Sequence, residues 1–342
     1  MSLARHDHYV PCLYLKRFAP DRQHLFEYSI LVPDARMPEW RRRSIKGAAF
    51  RSHLYTRIVG GAESDEFERW LNQEFETPAE EALDKATSDK KLTRAEWQTL
   101  IRFAAAQDVR TPRSLIDHLE RGRATIDAAL QGALQDAVGL LEQAKCTGQP
   151  IAPVGAPHSE YLPLRVTAYH EPGQATGVLK AETIVGRATW LYSMKHVLTR
   201  TVRLLVDHRW SILVAPDDVT WFTSDDPVVK LNYYAHGNYN FKGGWNSRGT
   251  EILLPLDPRH LLYCQIGDRP QPRGSVLLPF GADLMRRIIA EHAHRFIYCA
   301  CEDAELPRLR PRTPDAVAFA REKEQWERWH REQTVAEQEL RK

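Results

Sequence analysis

The chain has 342 residues and is 43% hydrophobic, enough for a sizeable core in one large domain or two closely packed ones. A formal net charge of +2 provides no global basic field of the kind that marks a nucleic-acid binder, although a local basic cleft stays open. No apolar stretch approaches the ~20 residues of a membrane span, and the N-terminus lacks an apolar signal region, so a cytoplasmic setting is expected.

The first readable segment, "RHDHYVPCLYLKRFA" (Arg5 to Ala19), sets His6, Asp7 and His8 directly before an aromatic and aliphatic run. Extended pieces follow in "HLFEYSI", "RRRSIK" and "SHLYT". A helix is expected from Ser64 and Asp65, with Asp65 and Glu68 spaced as an approximate capping box. Thr93 and Glu96 make a better box for the next helix, in which Trp97, Leu100, Ile101 and Ala104 recur at helical spacing. A third helix should run from about Arg113 to Ala144, since no stop signal intervenes before "TGQP".

Residues 147–175 are rich in Pro and Gly and read as a linker or lid, with room for a short strand in "YLPLRVTAY". A long helix is expected from about Ala181 to Asp207. The texture then turns to strands in "WSILVA", "VTWFTSDDPVVKL", "EILLPL" and "HLLYCQI", closed by the helix "DLMRRIIAEHAHR" and the strand "FIYCA". Strands, helices and strands again without βαβ alternation predict an α+β domain over 1–312, a largely antiparallel sheet packed with long helices. Residues 313–342 form a helical tail with a thin apolar stripe of Phe319, Trp326 and Trp329, expected to lie peripherally and to be dispensable for folding of the body. Cys12, Cys146, Cys264, Cys299 and Cys301 are odd in number and contain no Cys-x-x-Cys pair, so they read as reduced thiols.

Ionisable residues in apolar surroundings carry the functional signal. At about 100° per residue, Glu74 falls on the face defined by Phe67, Trp70 and Leu71, with Glu68 at its edge. A carboxylate there needs a partner, because an unpaired buried charge costs several kcal/mol. Gln107, Asp108 and Thr111 continue the stripe of the next helix, and Arg110 opens "RTP", where Pro112 disfavours helix at Thr111. Lys195 lies on the apolar face of the long helix and is a candidate partner for Glu74 or for an acid of the sheet. Thr223, Ser224, Asp225 and Asp226 end a β-rich run at Pro227, where paired Asp residues can bind a metal, act as a base or simply form turns. No GxxxxGK[ST], GxGxxG or HExxH occurs.

Together, "HYVPCLYLKRFA", "FERWLNQEFE", "IRFAAAQDVRTP", "FTSDDPVV" and "LPLDP" resemble, in their order, the domain-of-unknown-function family 4238. The resemblance extends from about His8 to Tyr298 and implies family roles for His8, Tyr9, Pro11, Glu68, Glu74, Gln107, Arg110, Thr111, Thr223, Ser224, Asp225 and Pro227. The chain departs from that pattern at Asp226, where many relatives have Asn. The family brings no agreed activity, although relatives resembling components of anti-phage loci imply an intracellular effector.

Two expectations follow. In the first, the protein is a hydrolase or nuclease-like phosphodiesterase acting on a nucleotide or nucleic acid with a divalent metal as cofactor. His8 is then the general acid/base, Glu74 and Asp225 are metal ligands or bases, and Arg110 clamps the phosphate. Gln107, Thr111, Lys195, Ser224 and Asp226 would surround the substrate. In the second, a non-catalytic sensor or interaction module uses the same residues to hold its core together. An open pocket favours the first, and a buried, fully bonded network the second.

Overall fold

The strand Thr250–Pro255 is buried at every position, so both faces of its sheet must be covered. Along it, Ile252 and Leu254 enter one core and Leu253 the other, as the period-2 alternation of a strand requires. Its neighbours repeat the pattern, with Leu262 and Cys264 on one side and Leu261 on the other. This is the centre of a five-stranded antiparallel sheet in the spatial order Trp210–Val214, His260–Gln265, Thr250–Pro255, Val229–Ala235 and Asn238–Asn240. The computed structural model describes residues 7–59, 62–150, 163–170 and 176–341, and it bears out the α+β class.

A second antiparallel sheet orders Thr223–Ser224, Phe296–Cys299, His24–Ser29 and Trp40–Ser44, pairing an N-terminal strand with one from late in the chain. The helices are α1 (Glu66–Leu71), α2 (Ala79–Ala86), α3 (Arg94–Val109), α4 (Pro112–Thr147), α5 (Arg187–His196), α6 (Pro279–His292) and α7 (Ala316–Arg341), besides single turns such as Cys12–Leu15. The capping box of α3 forms as expected: Glu96 N donates to Thr93 Oγ1 at 3.2 Å and Thr93 N to Glu96 Oε2 at 2.7 Å. The chain breaks at Arg110, and Thr111 becomes the N-cap of α4, with Pro112 in its first turn. Only Pro112, Leu115 and Leu119 of α4 are buried, so its later turns project from the body.

Three expectations need correction. The segment "SHLYT" is a turn and not a strand, with His53 at φ +57°. The long helix begins at Arg187, because Ala181–Thr183 belong to the strand Gly177–Thr183, which forms a hairpin with Leu164–His170. The rest of the linker or lid, 151–162 and 171–175, lies outside the described residues.

The third correction concerns Glu74, which is exposed. After α1 the chain makes a π-helical turn over Asn72–Glu76, seen in the Thr77 N to Asn72 O bond of 2.9 Å. A π turn accommodates one extra residue and sets the following positions back by about one helical step. Phe75 therefore takes the inward place that regular helix assigns to Glu74, and Glu76 follows it into the core.

The tail helix α7 lies on the outside but is tied in more firmly than its thin stripe suggests. Phe319 is 37% exposed and is no anchor; Trp329 and Glu337, at 9% and 6%, are the buried ones. Glu337 receives a bidentate pair from Arg187, itself 0% exposed, with Nε to Oε1 and Nη2 to Oε2 both at 3.1 Å. Ahead of the helix, Thr313–Pro314 pairs in parallel with Leu31–Val32.

Candidate functional site

Arg110, 1% exposed at the end of α3, is the hub of a charged centre. Its Nη1 donates to Glu76 Oε1 at 2.5 Å, its Nη2 to the His8 carbonyl at 2.6 Å and its Nε to Tyr55 Oη at 3.4 Å. Tyr55 returns a 2.6 Å bond to the Arg110 carbonyl, and its backbone N–H donates to Asp7 Oδ2 at 2.8 Å. Glu68 turns away from capping α1 and hydrogen-bonds the Asp7 carboxyl. Burial, then that shared contact with Asp7, push Glu68 up to about 8, so at neutral pH it holds the proton that the pair shares.

His8 belongs to this centre through its backbone. Its imidazole instead has Nε2 at 3.2 Å from the Lys46 carbonyl and lies beside the Phe50 ring. Glu74 lies outside, 3.8 Å from Arg102. The Lys195 ammonium stands 5.7 Å from the centre of the Trp70 ring.

One residue along, Thr111 connects the hub to the strand-end acids. Its Oγ1 donates to Asp226 Oδ1 at 2.9 Å while also accepting from Ser114 N to cap α4. Asp225 is clamped by backbone amides, with Oδ1 accepting from His294 N at 3.0 Å and Oδ2 from Arg295 N at 2.8 Å. Ser224 Oγ accepts from Asp226 N at 3.2 Å, which is the turn chemistry expected of this motif.

Burial pushes both Asp225 and Asp226 up to about 7, and for Asp225 the adjacent Asp226 adds to it, while the two amides favour the charged form of Asp225. The surroundings assign the proton to Asp226. His292 Nδ1 is 3.1 Å from the Asp226 carbonyl, which can only accept, so Nδ1 carries the hydrogen. Burial holds His292 down to about 4, hence neutral, and its bare Nε2 faces Asp226 Oδ2 at 3.6 Å. That separation is beyond hydrogen-bond length; the proton belongs on Asp226 because it is buried beside the Thr111 hydroxyl, whereas Asp225 has two backbone amides that favour its charged form.

This arrangement gives stability a pH dependence. The folded pKa of Asp226 lies above the ordinary carboxylate value of ~4. Its contribution is therefore complete below about pH 4 and is lost as pH rises through about 7. Asp226→Asn keeps an acceptor for the Thr111 hydroxyl and has no proton to lose. Urea midpoints at pH 5 and pH 8 should differ less in the variant, which should be the more stable protein at pH 8. An unchanged difference would remove Asp226 as its source.

Gln107 is 0% exposed, and neither amide atom has a hydrogen-bond partner among the described residues. A buried unsatisfied polar group costs about 1–3 kcal/mol. Gln107→Leu should accordingly raise the melting temperature, and a lowered one would mean that the amide is bonded in solution. The next residue, Asp108, is well satisfied, accepting from Lys230 Nζ and Trp245 Nε1 at 2.6 Å each.

Thus Arg110, Thr111, Asp225 and Asp226, with the His8 carbonyl, come together along one continuous polar seam, and the exposed Glu74 does not join it. Asp7, Tyr55, Glu76 and His292 complete it. Asp7 had a signal in the opening motif, but Glu76 was hidden by the π turn. Cavities of about 190 and 180 Å³ run beside α7, lined by residues including Arg295, Glu322 and Trp326, and one of about 420 Å³ lies at Phe280, Arg287 and Arg308. Arg110, Asp225 and Asp226 line none of these three. Among the described residues, the side chains grouped closely enough for a metal ion are His53, Glu63 and His330, outside the seam.

No helix among the described residues is long and apolar enough to cross a membrane. A family model described as "Protein of unknown function (DUF4238)" matches residues 6–303. No curated protein and no solved structure matches the chain.

Proposed function

The chain belongs to the DUF4238 family, and from that premise we propose that it is a non-catalytic recognition protein whose charged centre is scaffolding. One observation carries this reading: the charged groups of Arg110 and Asp225 are consumed inside the chain. Arg110 is spent on Glu76, Tyr55 and the His8 carbonyl, and Asp225 on two backbone amides. Both groups are also buried, at 1% and 3% exposure, so a substrate could reach their remaining N–H groups and lone pairs only by opening the seam. The seam joins the N-terminal strand, α3, α4 and the end of the second sheet, and so fixes the relative positions of elements distant in sequence. A recognition surface is available on the projecting part of α4 and the adjoining hairpin, where Leu140, Leu141, Val166 and Val178 are exposed.

The second reading is a hydrolase or nuclease-like phosphodiesterase, an intracellular and anti-phage effector acting on a nucleotide or nucleic acid. It draws support from Glu68 and Asp226, held near 8 and 7, the range in which a carboxyl serves as general acid at neutral pH.

Asp225→Asn separates the two. As scaffolding, the new amide N–H₂ faces a backbone N–H, donor against donor, and the variant loses about 1–3 kcal/mol. Thermal melts are to be paired with a screen of wild type against RNA, DNA and nucleotides, with and without Mg²⁺ and Mn²⁺. Metal-dependent turnover in wild type, abolished in an Asp225→Asn protein of unchanged stability, would falsify the scaffold reading.

A further inference from the structure

We propose that His53, Glu63 and His330 form a site for a transition-metal ion of the zinc and cobalt class, one that pins α7 to the body. The three come from separate segments: the turn after Arg51, the strand Ala62–Ser64 and α7. One donor atom from each lies within 4.8 Å of the others, and all three residues are half-buried. Two imidazoles and one carboxylate, with a fourth position left for solvent, match the donor preference of zinc and not that of Mg²⁺ or Ca²⁺, which take oxygen. His330 lies beyond the matched residues 6–303, so the site joins the family domain to its tail.

As found, a proton joins His330 to Glu63, and His53 stacks on the His330 ring. Arg187 Nη1 stands 2.9 Å from His330 Nδ1, and arginine only donates, so Nδ1 accepts and Nε2 carries the hydrogen. That hydrogen goes to Glu63 Oε1 at 2.7 Å.

Loading the ion has two defined costs. The Nε2 hydrogen gives way to the metal and the ring is then protonated at Nδ1, so Arg187 surrenders its Nη1 contact while keeping both bonds to Glu337. The two rings, now stacked at 4.0 Å and 16°, must also separate. Imidazoles on one tetrahedral ion at ~2.1 Å bond lengths need roughly 1 Å more between ring centres. His53 sits in a surface turn at φ +57°, where such a shift disturbs little packing.

The test uses the full chain stripped with EDTA and titrated with Co²⁺ and Zn²⁺. One equivalent of Co²⁺ should give visible d–d absorption, Zn²⁺ should bleach it, and excess Zn²⁺ should raise the melting temperature where Mg²⁺ does not. His53→Asn, which keeps a residue tolerant of left-handed backbone, and Glu63→Gln should each weaken binding at least tenfold while melting like wild type in EDTA. Hydrogen exchange of 316–341 should slow in wild type on adding Zn²⁺. The proposal fails if wild type gives neither absorption nor a shift, or if both variants bind as wild type does. Should either variant melt early in EDTA, the absorption titration run below its melting temperature still decides.

Discussion

Arg110→Ala should cost about 3–5 kcal/mol, the scale for breaking a buried ion pair by removing one partner. The total stability of a domain is about 5–15 kcal/mol, so a large fraction of the variant should unfold under mild denaturant that wild type withstands. Its loss leaves Glu76 without its cation in a site 8% exposed and removes the guanidinium N–H groups that Tyr55 Oη and the His8 carbonyl accept, although Tyr55 Oη keeps its bond to the carbonyl of residue 110. It also leaves Glu68 and Asp7, already sharing one proton, without the nearby positive charge that favours ionisation of Glu68. Arg110→Lys should recover little, because a single ammonium cannot reach three acceptors on three segments in the plane of a guanidinium. Arg110→Met combined with Glu76→Gln should recover more, since it removes the charge along with its partner. Urea unfolding followed by far-UV circular dichroism reads the series; an Arg110→Ala midpoint close to that of wild type would show that the centre does not hold the fold.

The series also indicates what a sequence can disclose. Arg110, Thr111, Asp225 and Asp226 were legible because each interrupts a regular pattern: a helix broken before Pro112, or a β-rich run ended by paired acids. The Thr93 box and the tail helix were legible from local chemistry. Glu76 was not, because a π turn leaves no mark in helical periodicity and its one-residue slip exchanges Glu74 for Phe75 at the core. His8 was identified for its imidazole, whereas the contact that matters uses its carbonyl, which any residue possesses. The pairing of Arg187 with Glu337 spans 150 positions and has no local signature. Neither does the strand from Ala181 to Thr183, which depends on its hairpin partner and not on its own propensity.

Truncation after Arg312 is the other change expected to be severe. Read from its pattern, the tail has little to bury, and its removal should leave the body's melt unchanged. The buried pair argues for a different result. Arg187 is 0% exposed, and the truncated chain leaves its guanidinium without Glu337 or His330, at a cost of about 3–5 kcal/mol for an uncompensated buried charge. Loss of Trp329 from the core cluster adds to this. Charge and packing can be told apart. Arg187→Met in the full chain breaks the pair from the other side and leaves Glu337 buried, so it should also destabilise. Arg187→Met in the truncated chain has no stranded charge and should be more stable than truncation alone, a sign reversal that lost packing cannot produce. If the truncated chain instead melts with the midpoint and cooperativity of the full one, the pair contributes nothing to the body, and α7 is an appendage whose buried arginine finds water as readily as it finds Glu337.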